Sequence, residues 1–320
     1  VDTFDVSTVT TVTEAAANIG TSAANITSAL GITSSTVAVN IAGSISASDT
    51  NTIANATSGI VTATITAGAV SATLSAITNV DNNDVITFTT NDTSVDATEL
   101  VGLNDKVDFF GVNTVTTITE TAATIGTSAV NITDALTITG GTEAVTITGT
   151  ISSSDTNTIA NATSGVVTAV VISDSASNLV SNLNNASSND ALTLTVTNTA
   201  TDAADLITLN TKTNQTITIN ASTINGDASE LIDIYSTNAS SYTNLGNEAV
   251  TIDNTASAND VNTIANATSG IVTATIITGA VSTTLNAITN VDNNDVITFT
   301  TNDTSVDATD LVSLNTKVDT

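Results

Sequence analysis

Cysteine, histidine, methionine, proline and tryptophan are all missing from this chain of 320 residues. Without Cys there is no disulfide framework, no thiolate metal site and no catalytic thiol. Without His the commonest general base and transition-metal ligand is gone. Aromatic residues make up 2% of the sequence against 40% hydrophobic residues, so a core must be built in thin layers from Val, Ile, Leu and Ala. Basic side chains number 3 against 31 acidic ones, for a net charge of -28. Such a surface repels nucleic acid and anionic lipid, both of which demand basic contacts. The same charge opposes compaction and favours a salty or calcium-containing medium that screens or bridges carboxylates, as outside a cell. Thr, Ser, Asn or Asp interrupts every apolar run well short of the roughly 20 residues that span a bilayer, so membrane insertion is not expected. Neither a Met nor a basic and apolar leader opens the sequence, the pattern expected of a processed product or an excerpt.

What is present is repetition. The nonapeptide Asn-Thr-Ile-Ala-Asn-Ala-Thr-Ser-Gly occurs at Asn51 to Gly59, Asn157 to Gly165 and Asn262 to Gly270. Aligning on it divides the chain into copies at 1–106, 107–212 and 213–320, read as one continuous array without true linkers. Val318-Asp319-Thr320 repeats Val1-Asp2-Thr3, so the sequence closes in the phase in which it opens. Neither end resembles the polar capping repeat of a finished array, so the expectation is either that the array continues beyond this sequence or that its ends meet other chains.

Each copy divides again into strand-like and helix-like pieces. Val37, Val39 and Ile41 alternate with polar or small residues, as do Val61, Ala63 and Ile65, and Ile86 and Phe88, the period of a half-buried strand. Ser46 to Ser58 predicts a short helix capped by Ser46 or Ser48, with Asp49 at its positive end, Ile53 and Ala56 inward and Gly59 as a left-handed stop. Ala97, Leu100, Leu103 and Val107 form a helical stripe after Ser94. Asn25 to Thr33 reads as an inserted piece. The expected fold is a repeat solenoid, parallel β-helix-like, with one strand and one short helix or turn per coil of about 23–29 residues. The alternative is a string of Ig-like β-sandwich modules, which the helical stripes and the lack of Trp and Pro disfavour.

Candidate sites are few. Asp81, Asn83 and Asp84, and their counterparts Asp292, Asn294 and Asp295, bring side-chain oxygens onto one turn and suit calcium, which takes six to eight oxygen ligands. The same residues also suit a plain polar turn. Lys106, Lys212 and Lys317 follow helix ends, where the dipole favours a cation. Thr-x-Thr pairs such as Thr62/Thr64, Thr87/Thr89 and Thr273/Thr275 would line a flat face if they stacked in register, an arrangement suited to ice. Asn-x-Ser/Thr sequons recur from Asn25 to Asn302 and matter only where a cell glycosylates. Tyr235 and Tyr242 lie in the divergent piece Thr216 to Asn247 and could form a local contact site. Asp202 with Asp205, and Asp307 with Asp310, sit in helix first turns and serve the dipole there. No nucleophile-and-base constellation can be assembled, so no enzyme and no cofactor beyond calcium are expected.

Thr304-Ser305-Val306-Asp307-Ala308-Thr309-Asp310-Leu311, Leu209-Asn210-Thr211-Lys212 and Leu245-Gly246-Asn247-Glu248-Ala249-Val250-Thr251 resemble the Thr-, Asp- and Ala-rich repeats of very large secreted cell-surface proteins of marine cyanobacteria. That resemblance implies an extracellular or cell-surface location and a filament-forming role, and it carries over no catalytic residue. The expected function is structural: an acidic repeat protein associating with copies of itself, end to end or laterally, into a surface filament, fibre or layer. The alternative is an adhesion or binding module for ice, carbohydrate or a receptor.

Overall fold

In Val61 to Ile65 the branched and small residues Val61, Ala63 and Ile65 are buried while Thr62 and Thr64 turn outward, the alternation of a sheet with one covered face. The pattern recurs along the chain, and helices supply the covering layer. The computed structural model describes residues 4–16, 19–122 and 125–319.

The elements in order are β1 (Thr11–Ala15), α1 (Ile19–Ile32), β2 (Ala38–Ile45), α2 (Ala47–Ala56), β3 (Val61–Ile65), α3 (Val70–Ala76), β4 (Val85–Thr89), β5 (Ser94–Asp96) and α4 (Ala97–Asn104). There follow β6 (Phe109–Gly111), β7 (Thr117–Thr121), α5 (Ile125–Thr139), β8 (Ala144–Ile151), α6 (Ser153–Ala162), β9 (Val167–Val171), α7 (Ala176–Asn182), β10 (Ala191–Thr193), β11 (Thr195–Val196), β12 (Ala200–Asp202) and α8 (Ala203–Asn210). The last third holds β13 (Ile217–Ile219), β14 (Thr223–Gly226), α9 (Ala228–Ile232), β15 (Tyr242–Thr243), β16 (Ala249–Ala256), α10 (Ala258–Ala267), β17 (Val272–Gly279), α11 (Val281–Ala287), β18 (Val296–Thr301) and α12 (Ala308–Asn315). A π-helical turn at Asp233–Thr237 and a 3-10 turn at Ala239–Ser241 lie between α9 and β15.

The chain forms two compact units, one of Val1–Thr148 with Ala162–Val166 and one of Gly149–Asn161 with Val167–Thr320. In the first, β1-β2-β3-β4-β6 make one parallel sheet. In the second, β12-β14-β16-β17-β18 make another and β11-β13-β15 a smaller one. The remaining strands pair as β5-β7-β8 and as β9-β10. Ala144–Thr148 goes with β7 and β5 in the first unit, and β9 and β10 belong to the second.

Every described strand pair is parallel, as Val39 opposite Val61 and Thr62 opposite Val85 show. Parallel neighbours need a long crossover, commonly a helix, and α2 and α3 occupy those two crossovers. The expected coil of one strand and one short helix is therefore corrected: this is an α/β fold in which four parallel sheets alternate with twelve described α-helices. Neither solenoid nor β-helix describes it. Strand number per helix is uneven, with β10, β11 and β12 all between α7 and α8, and α1 and α5 are full helices of 14 and 15 residues. The β-sandwich alternative fails as well, since sandwiches pair antiparallel strands. Asn25 to Thr33, read as an insertion, lies mostly in the second half of α1, where Ile26 and Leu30 are buried one turn apart.

Candidate assembly surface

The repeated nonapeptide ends α2, α6 and α10. Ser46 caps α2 by accepting the Asp49 N–H at 3.0 Å, as expected. Thr50, Ile53 and Ala54 face inward, in place of the predicted Ile53 and Ala56. Gly59 is not a left-handed stop: Thr57 is extended, and Gly59 is not among the described residues with positive φ. The strands come too close there for a side chain. A Cβ on Gly59 would lie 2.5 Å from the Val37 carbonyl oxygen, and the equivalent approaches are 2.3 Å for Gly165 and 2.1 Å for Gly270. Thr57 fastens the corner, donating to the Val37 carbonyl at 2.7 Å and accepting from the Gly59 N–H at 2.9 Å. Asn51 reaches forward, its Oδ1 accepting the Asn79 N–H at 2.6 Å, and Asn157 and Asn262 do the same for Asn185 and Asn290.

The proposed calcium residues lie on the turn before β4 and on its counterpart before β18. Asp84 is buried and both of its oxygens are engaged: Oδ1 accepts the Val61 N–H at 2.8 Å, Oδ2 the Asp81 N–H at 3.2 Å. Asp81 Oδ1 accepts the Asn83 N–H at 2.8 Å. Asp295 repeats this with Val272 and Asp292, and Asp292 accepts from Asn294. Burial pushes the Asp84 carboxyl above its ordinary range; the N–H groups of Val61 and Asp81 oppose that, and the Asp81 and Asp108 charges add to it. Among the described residues no three or more acidic, His or Cys side chains are grouped so as to hold a metal ion. The oxygens of Asp84 and Asp295 hold an adjacent strand and their own turn in place.

The three lysines lie just beyond α4, α8 and α12 and donate to backbone carbonyls of an earlier segment. Lys106 Nζ reaches the Val80 oxygen at 2.9 Å, Lys212 that of Asn184, and Lys317 those of Thr289 and Val291. Asp202 and Asp307 cap α8 and α12 through the N–H groups of Ala204 and Thr309. Tyr235 and Tyr242 are buried, so they form no contact surface. Tyr242 donates to the Leu206 carbonyl at 3.1 Å, and burial followed by the Asp233 charge pushes its hydroxyl up to about 12. Tyr235 donates to Glu248 Oε2 at 3.1 Å. The Thr-x-Thr pairs are not stacked in one lane, because Thr62 faces Val85 and Thr87 faces Phe109 while Thr64 faces Thr87.

A different surface emerges where the first and second copies meet inside one unit. Strand β6 pairs with β4, Phe110 opposite Phe88, with ring centroids 5.8 Å apart. Asp108 ties the junction: its N–H donates to the Ile86 oxygen and its Oδ2 accepts the Ile86 N–H, both at 2.9 Å. Further on β7 pairs with β5, placing Ile118 opposite Val95; Thr98 donates to Glu120 Oε2 at 2.7 Å, and α5 packs on α4. Under this cover Phe88, Val95, Ala97, Leu100 and Leu103 are buried.

The third copy ends with the same residues and no described strand on the outer edge of β18. Asp319 repeats the Asp108 tie to Ile297 at 2.9 and 3.0 Å. Leu311, counterpart of the fully buried Leu100, is 47% exposed, and Val312 is 68% exposed. Val281, Phe299, Leu311, Leu314 and Val318 line an apolar groove of about 180 Å³. At the other end, Phe4 is 74% exposed where its counterpart Phe110 is half-buried. Val9 is 36% exposed where Val115 is buried. Comparison with family models, with curated proteins and with solved structures finds no match to this chain.

The sequence could have revealed these residues, since Leu311 and Leu100, or Phe4 and Phe110, are aligned by the repeat itself. What it lacked was the knowledge of which strand edge each residue covers.

Proposed function

We propose that this chain is a structural, extracellular repeat protein that associates with copies of itself end to end to build a fibre or layer at a cell surface. One observation supports it most: within the first unit one copy docks on the next through β4, β5 and α4 on one side and β6, β7 and α5 on the other, an interface built from the repeated residues themselves. A parallel edge with unpaired N–H and C=O groups is a template for another strand, and an apolar groove beside it adds burial. An interface joining unlike ends propagates into a ring or an open filament. Low basic content and a net charge of -28 fit a saline exterior in which repulsion between copies is screened. Burial of both tyrosines removes the feature that spoke for an adhesion site in Thr216 to Asn247.

Electron microscopy and sedimentation of the purified chain over a range of salt test this. Linear particles that lengthen with protein and salt concentration are expected. Monomers at every salt and protein concentration would overturn it.

A further inference from the structure

The second unit holds a cavity of about 450 Å³ between the segment after β13 and the segment after β15, with Asn220, Ser222, Asn244, Leu245, Asn247 and Glu248 in its walls. We infer that this cavity binds a small hydroxylated primary amine, whose ammonium group meets the free oxygen of Glu248. The site does not depend on self-association.

Glu248 is the group that points to a ligand. It is 2% exposed, and Tyr235, Gly246 and Asn247 donate to its Oε2 at 3.1, 2.8 and 3.2 Å. Its Oε1 is buried and has no hydrogen-bond partner among the described residues. A buried carboxylate is costly unless a cation or a full set of donors meets it. The chain supplies no cation there: its three basic residues are Lys106, Lys212 and Lys317, and each donates to backbone carbonyls elsewhere. An ammonium group satisfies the oxygen and neutralises the charge at once, whereas a neutral donor does only the first.

The other copies lack this arrangement. The counterpart of Glu248 in the first copy is Val37. In the second it is Glu143, whose Oε1 is met by the Thr142 hydroxyl at 3.4 Å and whose Oε2 accepts the Thr142 N–H at 3.0 Å. The cavity beside Gly140 and Gly141 has no carboxylate in its lining. In the third copy Asn247 replaces that Thr, so the donor is withdrawn where the cavity opens. The Asn247 side chain is exposed, and only its backbone N–H is engaged among the described hydrogen bonds. It is free to swing aside and let a ligand reach Oε1.

The rim supplies the rest of the recognition. Asn244 donates through Nδ2 to Asn220 Oδ1 at 3.1 Å, which leaves Asn244 Oδ1 as an acceptor and Asn220 Nδ2 as a donor for ligand hydroxyls. Asn244 is held at a φ of 66°, the one non-glycine residue with positive φ among those described. Such backbone persists only where its surroundings enforce it, commonly at ligand sites. The volume falls in the range of small-molecule sites, about 300–1,000 Å³, well above what a single ion fills. A lone carboxylate also matches a singly charged ligand better than a divalent metal, which gathers several oxygen ligands.

Calorimetric titration of the full chain with glucosamine, ethanolamine, glucose and Ca²⁺ tests this, at about 0.15 M salt so that exposed carboxylates are screened. Saturable binding of one glucosamine per chain is expected, with weaker binding of ethanolamine and none of glucose. Glu248→Gln keeps the side-chain shape and removes the charge, and should weaken glucosamine binding about ten- to hundredfold. Glu143→Gln, at the counterpart already met by Thr142, should leave it unchanged. Asn247→Thr should raise Tm and yet weaken binding, because the added hydroxyl takes the ligand's place; this variant separates binding from folding if Glu248→Gln fails to fold. No heat with either amine, equal binding of glucose, heat with Ca²⁺ alone, or undiminished binding by Glu248→Gln would each overturn the assignment.

Discussion

Gly59 sits so close to Val37 that a side-chain carbon on it would lie 2.5 Å from the Val37 carbonyl oxygen, and this close approach recurs wherever the nonapeptide does. The carbonyl is already held by the Thr57 hydroxyl at 2.7 Å, so neither backbone nor side chain can give way without loss of that bond. Gly59→Ala is therefore expected to destabilise the fold by about 2–3 kcal/mol, the cost of forced overpacking. Gly31, inside α1, has nothing within 4 Å of an added Cβ, and Gly31→Ala should stabilise by about 0.5–1 kcal/mol through helix propensity. Urea unfolding of the two variants checks both signs, and equal effects would disprove the close-contact account.

The second expectation concerns Asp84 and Asp295. Each accepts a backbone N–H from the strand beside it and another from its own turn. Asp295→Ala leaves the Val272 and Asp292 N–H groups without acceptors and should cost about 2–4 kcal/mol, at about 1–3 kcal/mol for each donor that stays buried. Calcium binding at Asp292, Asn294 and Asp295 would add a separate signature. Calorimetric titration with Ca²⁺ and melting in the presence of a chelator read it directly. With these oxygens engaged by the backbone, neither heat nor a shift in Tm is expected; a chelator-sensitive Tm would reassign the turn as a metal site.

Local pattern was legible where a single face decided it. Ile86 and Phe88, or Ala97, Leu100 and Leu103, are buried as their spacing predicts, because alternation and helical stripes report directly on what a neighbour covers. Gly59 was misread because the commonest reason for a glycine after a helix is a left-handed turn, whereas the real cause is a strand that sequence spacing cannot place. The four-sheet α/β arrangement was missed for a related reason. Spacing gives the period at which strands recur, but β5, β12 and β14 are strands of three or four residues, too short to stand out from the loops around them. The turn oxygens of Asp84 were visible as a cluster, yet their commitment to Val61 depends on a contact 23 residues away.

Glu248 supports the third expectation. It is 2% exposed, and its Oε2 accepts from Tyr235, Gly246 and Asn247. Its Oε1 is the one buried side-chain oxygen without a hydrogen-bond partner among the described residues. In the second copy the matching Glu143 Oε1 is met by the Thr142 hydroxyl at 3.4 Å, and Asn247 stands where that Thr would be. Asn247→Thr should restore a donor and stabilise by about 1 kcal/mol. Tyr235→Phe removes one and should destabilise by about 1–2 kcal/mol. Denaturant midpoints decide it, and a destabilising Asn247→Thr would show that Oε1 has no use for a donor from that side.

The last expectation is a stability maximum on the acid side of neutrality. Burial holds Asp84, Glu99 and Asp205 above their ordinary values, helped by the neighbouring charges of Asp81 and Asp108, Asp96 and Asp92, and Asp202. A carboxyl raised on folding contributes stability that is complete below its unfolded value and is lost as pH climbs through its folded one. Asp5 and Asp307 behave oppositely: backbone N–H groups, from Ser7 and from Thr309 and Asp310, hold them down. Their contribution is present above the unfolded value and lost as pH falls through the folded one. The net charge of -28 sides with the first group, since each proton taken up relieves repulsion across the whole chain. Tm should therefore rise as pH drops from 7 toward the interval just above 3.8, the unperturbed Asp value, and fall again below it. The measurement is made at low protein concentration and constant ionic strength, so that association near the isoelectric point of 4.1 does not mask unfolding. A Tm that declined steadily from pH 7 downward would mean that the hydrogen-bonded carboxylates outweigh both burial and the collective charge.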